Sequence, residues 1–243
     1  MVFESNCLKN IDVLILAGGQ GTRIRETLGD TPKLLAPIGS SLFLELLVRR
    51  LKTFGVSRII LALGHLSDKV LSYIDSASFD GVQIITSIES EPLGTAGSIR
   101  LACSEINTNP VLVMNGDSFF SSDLCKFVSA HENSERVASI LCAHVADTSR
   151  FGHLEISDDG LVKDFLEKSS KRSGPGYINS GVYLFSTNML QTIYEMSGPS
   201  LEYDIFEKLS PLMLGAIKGE GIFIDIGTSQ DLVDAGDLLS SYI

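Results

Sequence analysis

Residues 13–33 read V-L-I-L-A-G-G-Q-G-T-R-I-R-E-T-L-G-D-T-P-K, and this stretch decides how the rest of the chain is organised. Val13 to Ala17 is a short, unbroken apolar run, which suits a strand buried on both faces. It stops at Gly18-Gly19, and a third glycine, Gly21, follows. Lacking Cβ atoms, such a loop lets backbone N–H groups approach an anion closely. Arg23, Arg25 and Lys33 then place three positive charges within eleven residues of a chain whose formal net charge is −11. Cations gathered beside a glycine turn in an acidic protein point to phosphate.

Further β-branched runs follow: Arg58–Leu63, Val82–Thr86 and Val111–Met114 read as buried strands. Between them, Leu42–Phe54, Leu66–Ile74 and Ala96–Ile106 carry apolar residues at helical spacing. This alternation predicts an α/β fold with a mostly parallel sheet covered on both faces. Ligands of such sheets bind at the carboxyl ends of the strands, so the glycine loop and Asn115-Gly116-Asp117 fall on one edge. The last third is more mixed. Ser157-Asp158-Asp159-Gly160 is a turn signal between His153–Ile156 and Leu161–Phe165, predicting a hairpin. Tyr177–Phe185 and Gly221–Ile226 read as strands, and Leu201–Leu209 and Asp231–Leu239 as helices. Residues 169–176, S-S-K-R-S-G-P-G, read as a surface loop, with a lid as the alternative.

The 243 residues, 44% hydrophobic, suit a single domain (1–243). Its pI near 4.8 argues against a nucleic-acid partner, which calls for a basic face. No apolar run approaches a membrane span, and residues 1–10 lack the basic and apolar parts of a secretion signal, so a soluble cytoplasmic protein is expected. Cys7, Cys103, Cys125 and Cys142 show neither C-x-x-C spacing nor clustered histidines, and are expected to be reduced, mostly buried thiols. Neither a dinucleotide G-x-G-x-x-G turn with its later acidic ribose ligand nor a Walker A spacing is present.

Six segments in order carry a resemblance: L-A-G-G-Q-G-T-R-I-R with T-P-K, then Glu91 to Gly97 (E-P-L-G-T-A-G), Val113 to Asp117 (V-M-N-G-D), Phe165 to Lys168 (F-L-E-K), Tyr177 to Tyr183 (Y-I-N-S-G-V-Y), and Ile224 to Thr228 (I-D-I-G-T). Together they resemble the sugar-1-phosphate nucleotidyltransferases, or nucleotide-sugar pyrophosphorylases. That resemblance implies a Rossmann-like, glycosyltransferase-A-like fold with a small antiparallel sugar-side subdomain. Residues of about 11–145 would form the nucleotide half, 146–228 the sugar-phosphate half, and 229–243 a closing helix. The implied reaction joins an NTP and a sugar 1-phosphate, releasing pyrophosphate. Such chemistry is mainly charge cancellation and positioning of two anions.

The resemblance also implies roles. Leu16, Ala17, Gly18, Gly19, Gly21 and Thr22 would hold the nucleotide, the Gly18–Thr22 backbone cradling its phosphates; Glu89, Pro92, Gly94 and Thr95 would complete that side. Arg23 would neutralise the departing phosphates, Lys33 would stabilise charge at the α-phosphate, and Arg25 would frame the loop. Asp117 and Asp225 would bind Mg²⁺, which favours few carboxylates alongside phosphate oxygens and waters. Gly152, Glu167, Lys168 and Asn179 would contact the sugar phosphate. The sugar phosphate is already ionised at neutral pH, so no general base is needed, and His65, His131, His144 and His153 read as surface or core histidines.

A carboxylate at Glu89 can accept from guanine N1–H and N2–H₂ together, which favours GTP over UTP; Glu91 is a neighbouring candidate. The E-P-L-G-T-A-G form is most similar to guanylyltransferases that make GDP-mannose or GDP-heptose. The short chain, with Ser200-Leu201-Glu202 and Asp204, resembles the D-glycero-α-D-manno-heptose 1-phosphate guanylyltransferases of capsule and surface-layer pathways. Alternatives are mannose or N-acetylmuramate 1-phosphate, a uridylyltransferase, or a silent regulatory paralogue. A nucleotide-sugar glycosyltransferase would call for a D-x-D motif, which N-G-D is not. Self-association is common among short relatives.

Overall fold

The computed structural model describes residues 6–134, 136–151, 153–166, 174–209 and 213–242. Its centre is a seven-stranded mixed sheet in the order Leu214–Lys218, Ala138–Val145, Gly176–Phe185, Val111–Asn115, Val13–Ala17, Arg58–Leu63, Gln83–Ile88. The first strands are β1 (Val13–Ala17), two short strands β2 (Pro37–Ile38) and β3 (Ser41–Leu42), β4 (Arg58–Leu63), β5 (Gln83–Ile88) and β6 (Val111–Asn115). Strand β1 runs parallel between β4 and β6, Leu14 opposite Ile60 on one side and Val113 on the other. The later strands are β7 (Ser118–Phe120), β8 (Ala138–Val145), β9 (His153–Ile156), β10 (Val162–Leu166), β11 (Gly176–Phe185), β12 (Leu214–Lys218) and β13 (Phe223–Asp225). β11 is antiparallel to both β6 and β8, while β12 runs parallel to β8.

Successive strand residues point to opposite faces, and each face has its own core. Val13 and Ile15 join one core with Ile59, Leu61 and Leu184; Leu14 joins the other with Ile60, Val113 and Tyr183. The helices cover these faces: α1 (Arg25–Leu28), α2 (Phe43–Lys52), α3 (Ser67–Ser76), α4 (Gly94–Ala102), α5 (Leu124–Glu132), α6 (Thr187–Glu195) and α7 (Ser229–Leu238). In α2, Phe43, Leu44, Leu47 and Leu51 are buried at helical spacing, and Glu45 reaches back to accept from the Leu42 N–H at 2.8 Å. Asp123, Ser186 and Thr228 cap α5, α6 and α7 by accepting first-turn N–H groups, the usual work of Asp, Ser and Thr at these positions.

The hairpin predicted around Ser157–Gly160 forms as β9 and β10, a separate antiparallel pair. Leu201–Leu209 is not an α-helix: a π-helical turn at Leu201–Ile205 leads into a 3₁₀ turn at Phe206–Lys208. Its first residue is held from outside, since the Leu201 N–H donates to Thr95 Oγ1 at 2.8 Å. The expectation of four reduced thiols is also corrected. Cys7 and Cys125 form a disulfide, with Cα atoms 5.4 Å apart and a sequence separation of 118. No local motif announces such a pair; the fold alone brings Cys7 to the first turn of α5. Cys142 is buried and Cys103 half-buried, both as free thiols. Among the described residues, no helix is long and apolar enough to cross a membrane.

Candidate active site

Strands β1, β4, β5 and β6 are adjacent and parallel, so the loops at their carboxyl ends meet on one edge of the sheet. There they enclose a cavity of about 300 Å³. Leu16, Ala17, Gly18, Gly19 and Gly21 form one wall, Glu89, Pro92, Gly94 and Thr95 a second, and Lys33 and Asp117 close one end. Eleven residues proposed from sequence are thereby brought together. Gly21 has φ +59°, and a Cβ there would stand 3.2 Å from Lys33 Cε. Gly18 is needed for a further reason: a Cβ on it would lie 2.6 Å from Glu89 Oε1. Gly64, at the end of β4, packs on the same carboxylate, its Cβ position being 2.9 Å from Glu89 Cδ. The other carboxylate oxygen, Oε2, accepts from Ser98 Oγ at 2.9 Å and from the Leu93 N–H at 3.4 Å. Glu89 is thus a held side chain in the cavity wall.

The charged end is built by two short strands outside the main sheet. β13 pairs antiparallel with β7, Asp225 opposite Ser118, and the Ile226 N–H donates to Asp117 O at 2.9 Å. This puts the two aspartates side by side. Lys33 opens a 3₁₀ turn anchored by the buried Leu34 and Leu35, and its Nζ lies 2.8 Å from Asp117 Oδ2. Burial pushes the Asp225 carboxyl up, and the Asp117 charge adds to this, while Lys33 and Arg23 pull it back. Arg23 does not line the cavity; its Nη2 is 3.3 Å from where a Gly227 Cβ would lie, and that Cβ would overlap Asp225 Oδ1. Thr22 is exposed and also outside the lining. Among the described residues no cluster of three or more acidic, His or Cys side chains could hold a metal. Two half-buried carboxylates, one of them disfavoured as an anion, nevertheless fit Mg²⁺, which takes one or two carboxylates and fills its shell with waters and phosphate oxygens.

Asn179, expected from sequence to contact the sugar phosphate, sits in the irregular stretch of β11. Its Oδ1 accepts from the Gly181 N–H at 2.9 Å and its Nδ2 donates to Tyr183 Oη at 2.8 Å. The amide therefore has one N–H and one lone pair to offer a ligand. Gly152, Glu167 and Lys168 lie outside the described residues, as does most of the 169–176 loop.

Other cavity residues were not singled out from sequence. His65 and Leu66 line the wall, Leu66 in the left-handed region at φ 61°. Their position after β4, a strand on the ligand-binding edge, is the signal that identifies them. Gln20 and Ser98 also line the cavity, together with Asn115, which the sequence places on this edge. Arg150 was likewise unassigned: its Nη2 lies 2.7 and 2.6 Å from the two oxygens of Asp231, in the first turn of α7. Thr27 and Ser229 share a hydroxyl–hydroxyl hydrogen bond. The loop before β9 and helix α1 after β1 are thus both tied to α7, the helix that follows Asp225.

This geometry belongs to an enzyme that brings a nucleotide and a second anion together, and comparison with known proteins gives its class. The chain belongs to the nucleotidyl transferase family, whose model matches residues 12–241. Among its relatives, the D-glycero-alpha-D-manno-heptose 1-phosphate guanylyltransferase of Campylobacter jejuni is 33% identical over 91% of this chain and 96% of its own length. The mannose-1-phosphate guanylyltransferase catalytic subunit beta of Drosophila pseudoobscura is 31% identical, covering 90% of this chain and 60% of the subunit. The crystal structure of HddC from Yersinia pseudotuberculosis superposes with a TM-score of 0.84 at 34% identity, covering 93% and 98% of the two chains. That protein is also known complexed with GMP-PN, TM-score 0.83.

Proposed function

We propose that this nucleotidyltransferase makes GDP-heptose and pyrophosphate from GTP and D-glycero-α-D-manno-heptose 1-phosphate, for surface polysaccharide built from cytoplasmic precursors. The observation that carries the base assignment is Glu89, fixed in the wall of the cavity that also holds Lys33 and Asp117. A carboxylate accepts from two adjacent N–H groups, as guanine presents and uracil does not. The relatives named as heptose and mannose guanylyltransferases agree with it.

In this reading an oxygen of the sugar 1-phosphate attacks the α-phosphorus of GTP, the bond to the bridging oxygen breaks, and pyrophosphate leaves. About 11–145 holds the nucleotide and about 146–228 the sugar phosphate, with 229–243 as the closing helix. The open face of Gly19, where a Cβ would meet nothing within 4 Å, leaves backbone N–H groups free for the phosphates. Lys33 offers its ammonium to the α-phosphate, where negative charge builds. Arg23, beside Asp225, takes charge from the leaving group. Asn179, with Gly152, Glu167 and Lys168, orients the sugar phosphate. Asp117 and Asp225 would hold Mg²⁺, which when bound supplies cationic charge to phosphate oxygens.

The test is pyrophosphate release with each NTP in turn, Mg²⁺ and a panel of sugar 1-phosphates. GTP with the heptose phosphate should give the fastest release. No release from any pair refutes the reading, and release with UTP but not GTP refutes the role of Glu89. Mannose 1-phosphate is the second reading, favoured by the nearly equal identity of the mannose-specific relative. The same panel decides between them.

A further inference from the structure

Tyr183 lies near the carboxyl end of β11 and is fully buried, ring and hydroxyl alike. A buried phenol needs a partner for its O–H. It accepts from Asn179 Nδ2 at 2.8 Å and donates to Glu202 Oε1 at 3.3 Å. Burial first, and then the Glu202 charge, raise the phenol well above its ordinary value, with Asp117 adding to the rise. Glu202 thus shares this one hydroxyl with Asn179, and the next residue, Ser180, accepts at its carbonyl from Ser118 Oγ at 3.2 Å, one residue along from Asp117.

Glu202 is in the π-helical turn Leu201–Ile205, and such turns recur at functional sites. The segment carrying it is pressed against the nucleotide loop. Pro199 O accepts from the Ala96 N–H at 2.9 Å, the Leu201 N–H donates to Thr95 Oγ1, and a Cβ on Gly94 would stand 2.5 Å from Pro199 O. Glu202 therefore occupies the seam between the wall that holds the nucleotide and the strand that carries Asn179. Asp204, its acidic neighbour, is otherwise engaged: it accepts from the Ser200 N–H at 2.9 Å and pairs with Lys208 at 3.3 Å. Among the described residues, Glu202 accepts from Tyr183 and, at Oε2, from Ser200 Oγ at 3.3 Å, and from no other group. A carboxylate has about four acceptor sites, so roughly half of those on this half-exposed side chain are left for a ligand. Among the described residues no cation is within ion-pair distance of it. Satisfying the Tyr183 O–H calls for one neutral acceptor; a charged one at this seam calls for further donors.

We propose that Glu202 is a specificity-determining residue of the sugar side: its carboxylate accepts a hydrogen bond from a hydroxyl of the sugar 1-phosphate, while Tyr183 couples it to Asn179. This rests on the sugar-phosphate reading above. The test is steady-state kinetics of the full-length wild type, Glu202→Ala and Glu202→Gln, with GTP, Mg²⁺, and mannose and heptose 1-phosphates with their monodeoxy analogues. Losing a hydrogen bond to a charged group should raise KM for the sugar phosphate about ten- to a hundredfold, with KM for GTP within about twofold by the same logic, since no nucleotide contact is removed. The defect should vanish for the one deoxy analogue that lacks the hydroxyl Glu202 binds. A defect of equal size across all analogues, or one shared by GTP, would assign Glu202 a structural role and overturn the proposal. An unchanged KM for every sugar phosphate overturns it too. Wild-type protein inactive with every sugar phosphate would instead overturn the proposed function itself. Glu202→Gln keeps the shape and an acceptor for Tyr183, so it reports even if Glu202→Ala misfolds.

Discussion

Replacing Gly64 by alanine tests the arrangement of Glu89 without touching any group proposed to meet the phosphates. The added Cβ would stand 2.9 Å from both Glu89 Cγ and Cδ, nearer than Cβ atoms approach carbon. The backbone at Gly64 is not left-handed, so alanine brings crowding and no conformational strain. The long Glu89 side chain has to swing aside, and in doing so it leaves Ser98 Oγ, now 2.9 Å away, and the Leu93 N–H. Ser98 keeps a partner, the Gly94 carbonyl at 2.9 Å, so the fold loses little. What is lost is the placed carboxylate. A hydrogen bond to a charged group contributes about 1.5–3 kcal/mol, so KM for GTP should rise roughly tenfold to a hundredfold, with a melting temperature near that of wild type. The assay is pyrophosphate release as a function of GTP concentration, repeated on a Glu89→Ala background. Once the glutamate is absent, Gly64→Ala should add nothing, because the two changes act on one contact. Unchanged KM for GTP in Gly64→Ala, or full additivity with Glu89→Ala, would refute both the clash and the role of Glu89 in reading the base.

Three further outcomes are expected. Asp225→Asn should abolish most turnover yet hold or raise the melting temperature in metal-free buffer, because burial and Asp117 already disfavour the Asp225 anion; near-normal turnover would remove Asp225 from the site. Arg150→Ala should lower stability by about 1–3 kcal/mol by stranding the buried Asp231 carboxylate. Burial pushes that carboxyl up, but the Arg150 and Thr228 hydrogen bonds outweigh it and hold it below its ordinary value. A depressed folded-state value stabilises above the unfolded one and is lost as pH falls through the folded one, so the variant's melting temperature should fall less steeply on acidification than wild type's. Reduction of the Cys7–Cys125 disulfide should destabilise by about 2–4 kcal/mol, and a Cys125→Ser protein should melt at the same temperature with or without reductant.

Strands β1, β4 and β6 were legible because a strand buried on both faces is a continuous apolar run, and theirs end at Gly18, Gly64 and Gly116. β8 and β12 were not assigned from sequence. They lie at the far end of the sheet, beyond the antiparallel β11, where strand–helix alternation no longer guides the reading. The 201–209 segment has helical periodicity, but its first turn is set by Thr95 and by Asp204 folding back on Ser200, and propensity yields to those contacts. The glycine loop and its Pro-Lys were recognisable because the chemistry of phosphate needs small residues and cations close together in sequence. Arg150 was not, because it acts through Asp231, distant in the chain; His65 and Leu66 carry no such local pattern and are marked only by their place after β4.

By itself the sequence determined the α/β alternation, the sheet edge that carries the cavity, and the family, since these rest on local patterns and their order. Only the tertiary structure decided which residues face one another. Asp117 and Asp225, more than a hundred positions apart, meet because β7 and β13 pair. Cys7 reaches Cys125, Arg150 reaches Asp231, and Glu89 lies against two glycines from different strands. Contacts of this kind are products of packing over long chain separations, and no local pattern encodes them.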